Sequence, residues 1–190
     1  LVLEVALVRR LRFWLIFCVF ALTLVVNPWN YLDPINLPKL LVLAVSAFAL
    51  FGNLLPAFKR LVSAELRWLV VGVLGFVSVL VVAMFVSDSP LWAQVYGDYG
   101  RNTGFLAYFS LALLLLSAVF VSNRGFVSRL VWALVITGVV NALYGVIQWG
   151  GLDPIQWNNP YNPIVGTLGN PNFASAHLGI ASIASLALSV

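Results

Sequence analysis

The feature that most constrains this chain is where its charges stand. Ten Lys and Arg and six Asp and Glu occur in 190 residues, and they collect between long apolar runs. Those runs cover 13–26, 38–55, 68–86, 104–121, 130–149 and the stretch from 170 onward. Runs of this length match the hydrocarbon core of a bilayer once flanking side chains reach the interface. With 62% apolar residues and a mean hydropathy of +1.02, the chain has too little polar sequence to cover a water-facing surface. None of the runs reads as a barrel strand, and no internal repeat stands out. The expected fold is all-α: a polytopic transmembrane helical bundle of about six spans.

The basic residues also set an orientation. Arg9, Arg10, Arg12, Lys59, Arg60, Arg67, Arg124 and Arg129 fall on one side of the expected bundle. Asp33, Asp88, Asp98 and Asp153 share the other side with Lys39 and Arg101. Lys and Arg concentrate in cytoplasmic segments, so the N-terminus is expected in the cytoplasm, with odd spans running outward and even spans inward. The net charge of +4 and pI near 9.6 do not point to nucleic acid, because the basic residues are split among juxtamembrane loops. The single cysteine, Cys18, excludes an intrachain disulfide or a cysteine metal cluster. The first ten residues are not a cleavable signal, since the apolar stretch after them is long and no small-residue cleavage site follows. The chain opens without Met and stops at Val190 inside an apolar run, as a fragment would.

Between the runs, Pro28 stops the first and Pro38 suits the first turn of the second. The 87–103 segment is polar and turn-rich, 122–129 is expected as a tight turn, and 150–169 is the longest non-apolar segment. Trp29, Trp92, Trp149 and Trp157 cluster at the outer boundary as belt residues, with sugar stacking a second role open to Trp149 and Trp157. Asn141 and Gln148 are spaced i and i+7, share one helix face, and are expected to act as polar glue between helices.

Three spans start on the outer side, so three helix N-termini with unsatisfied N–H groups and partial positive charge are expected there. Lys39 and Arg101 sit at two of them, where a cation opposes the macrodipole and makes sense if an anion joins it. The third carries Gly169-Asn170-Pro171-Asn172. Lys39, Arg101, Asn170 and Asn172 are therefore candidate ligands for the phosphates of a lipid or lipid-linked substrate. Each has a plainer reading as well. Lys39 can snorkel to headgroups, Arg101 can pair with Asp98, and Asn170-Pro171 is a good helix start. His177, a polar residue inside the sixth run, is a functional candidate and equally open to an interhelical hydrogen bond. No Walker loop, dinucleotide fingerprint or His/Cys metal cluster is present, and no metal or cofactor is expected. No paired acids lie inside a run, which weighs against ion-coupled transport.

Three stretches together resemble the O-antigen ligase/polymerase superfamily of bacterial inner-membrane glycosyltransferases. They are Asp33-Pro34-Ile35-Asn36-Leu37-Pro38-Lys39, the 97–104 loop with Arg101, and Gly166-Thr167-Leu168-Gly169-Asn170-Pro171-Asn172-Phe173-Ala174. The resemblance extends over 1–190 and implies the N-terminal transmembrane part of such a protein. It implies transfer of a glycan from an undecaprenyl-diphosphate carrier to a lipid, glycan or protein acceptor on the periplasmic face, without a nucleotide sugar or obligatory metal. The family's catalytic His and Arg lie in a large periplasmic loop downstream of the matched region. The catalytic residues are thus unknown here, and His177 is not one of them. Two rivals stand beside this expectation: a transporter for a small anion such as bicarbonate, and a non-catalytic membrane scaffold.

Overall fold

The computed structural model describes residues 2–29, 33–63, 65–155, 157 and 164–189. Every regular element among them is a helix. In chain order these are α1 (Val2–Leu24), α2 (Asn36–Leu54), α3 (Phe58–Leu61), α4 (Arg67–Val86), α5 (Leu91–Tyr96), α6 (Phe105–Phe120), α7 (Arg124–Trp149) and α8 (Pro171–Ser189). Single 3₁₀ turns at Leu55–Ala57 and Gly166–Leu168 join α2 to α3 and precede α8.

Four helical stretches are long and apolar enough to cross a bilayer: Asn36–Leu61, Arg67–Val86, Arg124–Trp149 and Pro171–Ser189. The other two expected spans appear as helices of a different kind. α6 has 16 residues and so measures about 24 Å, short of a hydrocarbon core of about 30 Å. α1 is long, but Glu4, Arg9, Arg10 and Arg12 occupy its first half.

Helix boundaries depart from the apolar runs for physical reasons. α7 starts at Arg124, inside the expected turn, because the Asn123 side chain accepts from the Phe126 N–H at 2.8 Å and caps it. Its charged first turn lies where the apolar run has not yet begun. Pro56 does not end the second span, since it falls in the first turn of the 3₁₀ segment, where a missing N–H costs nothing. The 87–103 segment contains a short helix, α5, that hydropathy does not reveal.

The chain divides into two compact units, 1–17 with 40–122 and 18–39 with 123–190, so α1 and α2 contribute to both. In the first unit α4 and α6 run antiparallel. Trp68 and Leu115 line one end of a shared groove, Phe76 meets Tyr108 edge-on at 6.3 Å, and Met84 and Phe105 line a cavity at the other end. Two polar contacts gather its remaining ends. Arg12 Nη2 donates to the Val121 carbonyl at 3.0 Å, filling an orphan acceptor at the C-terminus of α6, and Arg60 pairs with Glu4 at 2.9 Å. The N-terminus, the α2–α4 connection and the end of α6 therefore share one end of this unit, as the charge count expects.

In the second unit α7 and α8 form an antiparallel hairpin built on small residues. A Cβ on Gly138 would overlap the Cβ of Ala181, and Ala133, Ala174 and Ala181 are buried alongside. Without a hydrophobic drive between helices in lipid, close backbone approach of this sort supplies the contact. Gly138→Leu should push the two helices apart and destabilise the protein by about 1–3 kcal/mol. The check is a lower thermal midpoint in detergent, against an unchanged midpoint for Gly179→Leu, whose Cβ meets open space.

Candidate functional site

The second unit is organised around buried amide side chains on α7. The Gln148 Oε1 accepts from the backbone N–H of Val165 at 3.0 Å and of Gly166 at 2.8 Å. About two turns deeper, Asn141 Oδ1 accepts from the N–H of Thr167 at 3.0 Å, while its Nδ2 donates to the Thr137 carbonyl at 3.2 Å. The Thr167 hydroxyl lies 2.6 Å from the Thr23 carbonyl and 2.7 Å from Asn141 Oδ1, its one proton shared between them. Asn141 and Gln148 share one face, as expected, and the structure buries both. What they bind, however, is a non-helical backbone segment, not another helix.

This arrangement sets the depth of α8. Asn141 lies eight residues before Trp149, so the Thr167 turn packs roughly 12 Å below the end of α7. Non-helical backbone at such depth needs its donors satisfied by protein, and the two amides do that. Gly169 then reverses the chain with φ +71°, and any side chain there would collide with Ile35. Asn170 accepts the Asn172 N–H at 2.8 Å, and α8 begins at Pro171.

Of the candidate anion ligands, Lys39, Asn170 and Asn172 belong to this unit and Arg101 to the other. Lys39 Nζ donates to the Leu22 carbonyl and, at 3.3 Å, to the Thr23 carbonyl. It therefore sits at the C-terminal end of α1, where a cation complements the macrodipole and the last carbonyls, although it opposes the dipole of α2. The N-terminus of α2 is not open either. The buried Asp33 carboxylate accepts from Ile35, Asn36 and Leu37 N–H at 3.3, 2.7 and 3.1 Å, so the chain supplies its own anion there. The N-terminus of α8 is capped by Asn170, and among the described residues the exposed Asn172 amide group bonds to nothing.

α6 differs. Its N-cap is Gly104, which has no side chain to offer its first N–H groups. Gly97 and Gly104 touch so closely that a Cβ on either would overlap the other's backbone, and this closes the 97–104 loop. Arg101 stands on that loop, exposed, with its backbone N–H bonded to the Asp98 carbonyl at 3.0 Å. Among the described residues its guanidinium forms no ion pair with Asp98. A cavity of about 300 Å³ opens beside this end, between Met84 and Ser87 of α4 and its C-cap, Gln94 of α5, and Thr103 and Tyr108.

Sequence reasoning missed Asp153. Its carboxylate accepts from Trp157 Nε1 at 2.7 Å, Gln148 Nε2 at 2.9 Å, the Ile155 N–H at 2.9 Å and the Tyr144 hydroxyl at 2.9 Å. Burial pushes the carboxyl up, but the Ile155 N–H, then Gln148, Trp157 and Tyr144, outweigh it and hold it below the usual carboxylate range. Trp157 is thus bound through its indole N–H, while Trp149 is exposed and fits a belt. His177 Nε2 lies 3.4 Å from Thr137 Oγ1, the interhelical contact that was one of its two readings. No group of His, Cys, Asp and Glu suited to a metal occurs among the described residues.

Comparison of the chain with known protein families, with curated proteins and with solved structures returns no match.

Asn141→Leu should leave the Thr167 N–H without its acceptor and cost about 1–3 kcal/mol, read as a lowered melting midpoint and faster proteolysis within 150–170. Asp153 makes a second, pH-dependent contribution. Its folded pKa is depressed, so the stabilisation is complete above about pH 4 and is lost as pH falls through the folded value. Asp153→Asn should flatten the fall in melting midpoint between pH 5 and pH 3, and an equally steep fall in the variant would contradict the assignment.

Proposed function

We infer that this chain is the N-terminal transmembrane part of an inner-membrane glycan ligase or polymerase. In this reading the N-terminus is cytoplasmic, and all six apolar helices cross or enter the bilayer. The enzyme takes a glycan from an undecaprenyl-diphosphate carrier and passes it to a lipid, glycan or protein acceptor at the outer face. The acceptor's base and the catalytic residues come from beyond 1–190.

The observation that carries the reading is Arg101 at the mouth of α6. Of the three N-termini read as outward, α2 is filled by Asp33 and α8 is capped by Asn170; α6 has no side-chain cap, and Arg101, whose guanidinium forms no ion pair among the described residues, stands three residues before its N-cap. Partial positive charge and a fork of N–H donors are the two properties that hold and neutralise a leaving diphosphate. Lys39 has two of its three donors on α1 carbonyls and serves chiefly to position α2; Asn172 remains a candidate polar contact. Small-anion transport gains less support, because Thr137, Asn141 and Gln148, the polar residues a path would need, are engaged in holding backbone and neighbouring side chains.

In membranes carrying the full-length protein, Arg101→Ala should lower consumption of undecaprenyl-diphosphate-linked glycan roughly ten- to hundred-fold, the worth of one or two charge-assisted bonds. Arg101→Lys should recover part of it. Undiminished transfer by the Ala variant, or labelling of a cysteine at 101 from the cytoplasmic side only, would remove the assignment.

A further inference from the structure

The geometry points to a binding site for an anionic phospholipid on the first unit, at the end opposite Arg101. α4 and α6 meet at Phe76 and Tyr108 but leave an open groove of about 470 Å³ between them. Trp68, Leu69, Gly72, Leu111 and Leu115 line its far half. Gly72 leaves it open: a Cβ at that position would meet nothing within 4 Å. The surface is apolar and elongated along the helices, the form that receives an acyl chain.

The mouth of the groove selects the headgroup. Trp68 closes the end, and the Arg67 guanidinium lies 5.2 Å from its ring centroid. Arg67 is exposed at the start of α4, whose N-cap, Leu66, offers no side-chain acceptor. Lys59 and Arg60 are exposed on the preceding segment, and the Arg60–Glu4 pair and the Arg12 contact to Val121 bring Arg9, Arg10 and Arg12 to the same end. Glu4 and Glu65 are the acidic side chains among them, and Glu4 is already paired with Arg60. Basic surplus beside an apolar groove at the headgroup level is complementary to one phosphate with its acyl chain. A zwitterionic lipid would satisfy the groove but not the charge. A second copy of this chain would bring the same basic surplus against itself.

The experiment is native mass spectrometry of the detergent-solubilised protein, titrated with phosphatidylglycerol or phosphatidylcholine of matched chains. One phosphatidylglycerol should be retained preferentially over phosphatidylcholine. Arg67→Gln should weaken its retention about five-fold, the worth of one basic residue at a membrane surface. Gly72→Leu, whose Cβ meets nothing within 4 Å and whose side chain adds bulk to the groove, should abolish the preference while leaving the lipid-free melting midpoint unchanged. Equal retention of the two lipids, or a preference that survives Gly72→Leu, would overturn the site. So would a dimer that Gly72→Leu dissociates, since the groove would then belong to a second copy.

Discussion

Backbone N–H and C=O groups cannot be left unpaired in hydrocarbon, and this constraint accounts for many of the polar contacts among the described residues. At several helix ends a side chain takes up what the helix leaves over, whereas the starts of α4 and α6 have no such cap. Arg12 serves the end of α6, Lys39 the end of α1, Asp33 the start of α2, and Asn123 the start of α7. Asn141 and Gln148 do the same for a turn that packs well below the end of α7. The Thr23 carbonyl receives both Lys39 and Thr167, so the end of α1, the start of α2 and the buried turn are fixed through one oxygen.

The same accounting separates structural charge from charge with a partner still to find. Lys39 and Arg101 look alike in sequence, as lone cations on the acidic side of the chain. Lys39 is spent on carbonyls of α1. Arg101 is raised on a loop closed by Gly97 and Gly104, and among the described residues its guanidinium forms no ion pair. Asp153 shows the converse: a carboxylate that looks like an outer-side charge is held by four donors and works to fasten the chain beyond α7.

Apolar surface carries a parallel distinction. α4 buries only Val70 and Val73, and exposed Val, Leu and Phe cover the rest of it. That surface suits lipid along most of its length. Where α4 and α6 part, beside Arg67, an apolar groove and exposed basic side chains lie together.

How much of this was legible beforehand divides along physical lines. The spacing of apolar runs is a property of composition and order, so a helical fold, apolar helices long enough for a bilayer, and a common face for Asn141 and Gln148 could all be read from residue order alone. Hydropathy does not record hydrogen-bond partners, and for that reason α5, the early start of α7 at Arg124 and the continuation past Pro56 were not visible in it. Which polar group meets which depends on contacts between residues as far apart as Thr23 and Thr167. That Lys39 turns back to α1 and that Thr167 reaches the Thr23 carbonyl depends on the folded arrangement, because each outcome rests on where a distant segment brings its unsatisfied backbone.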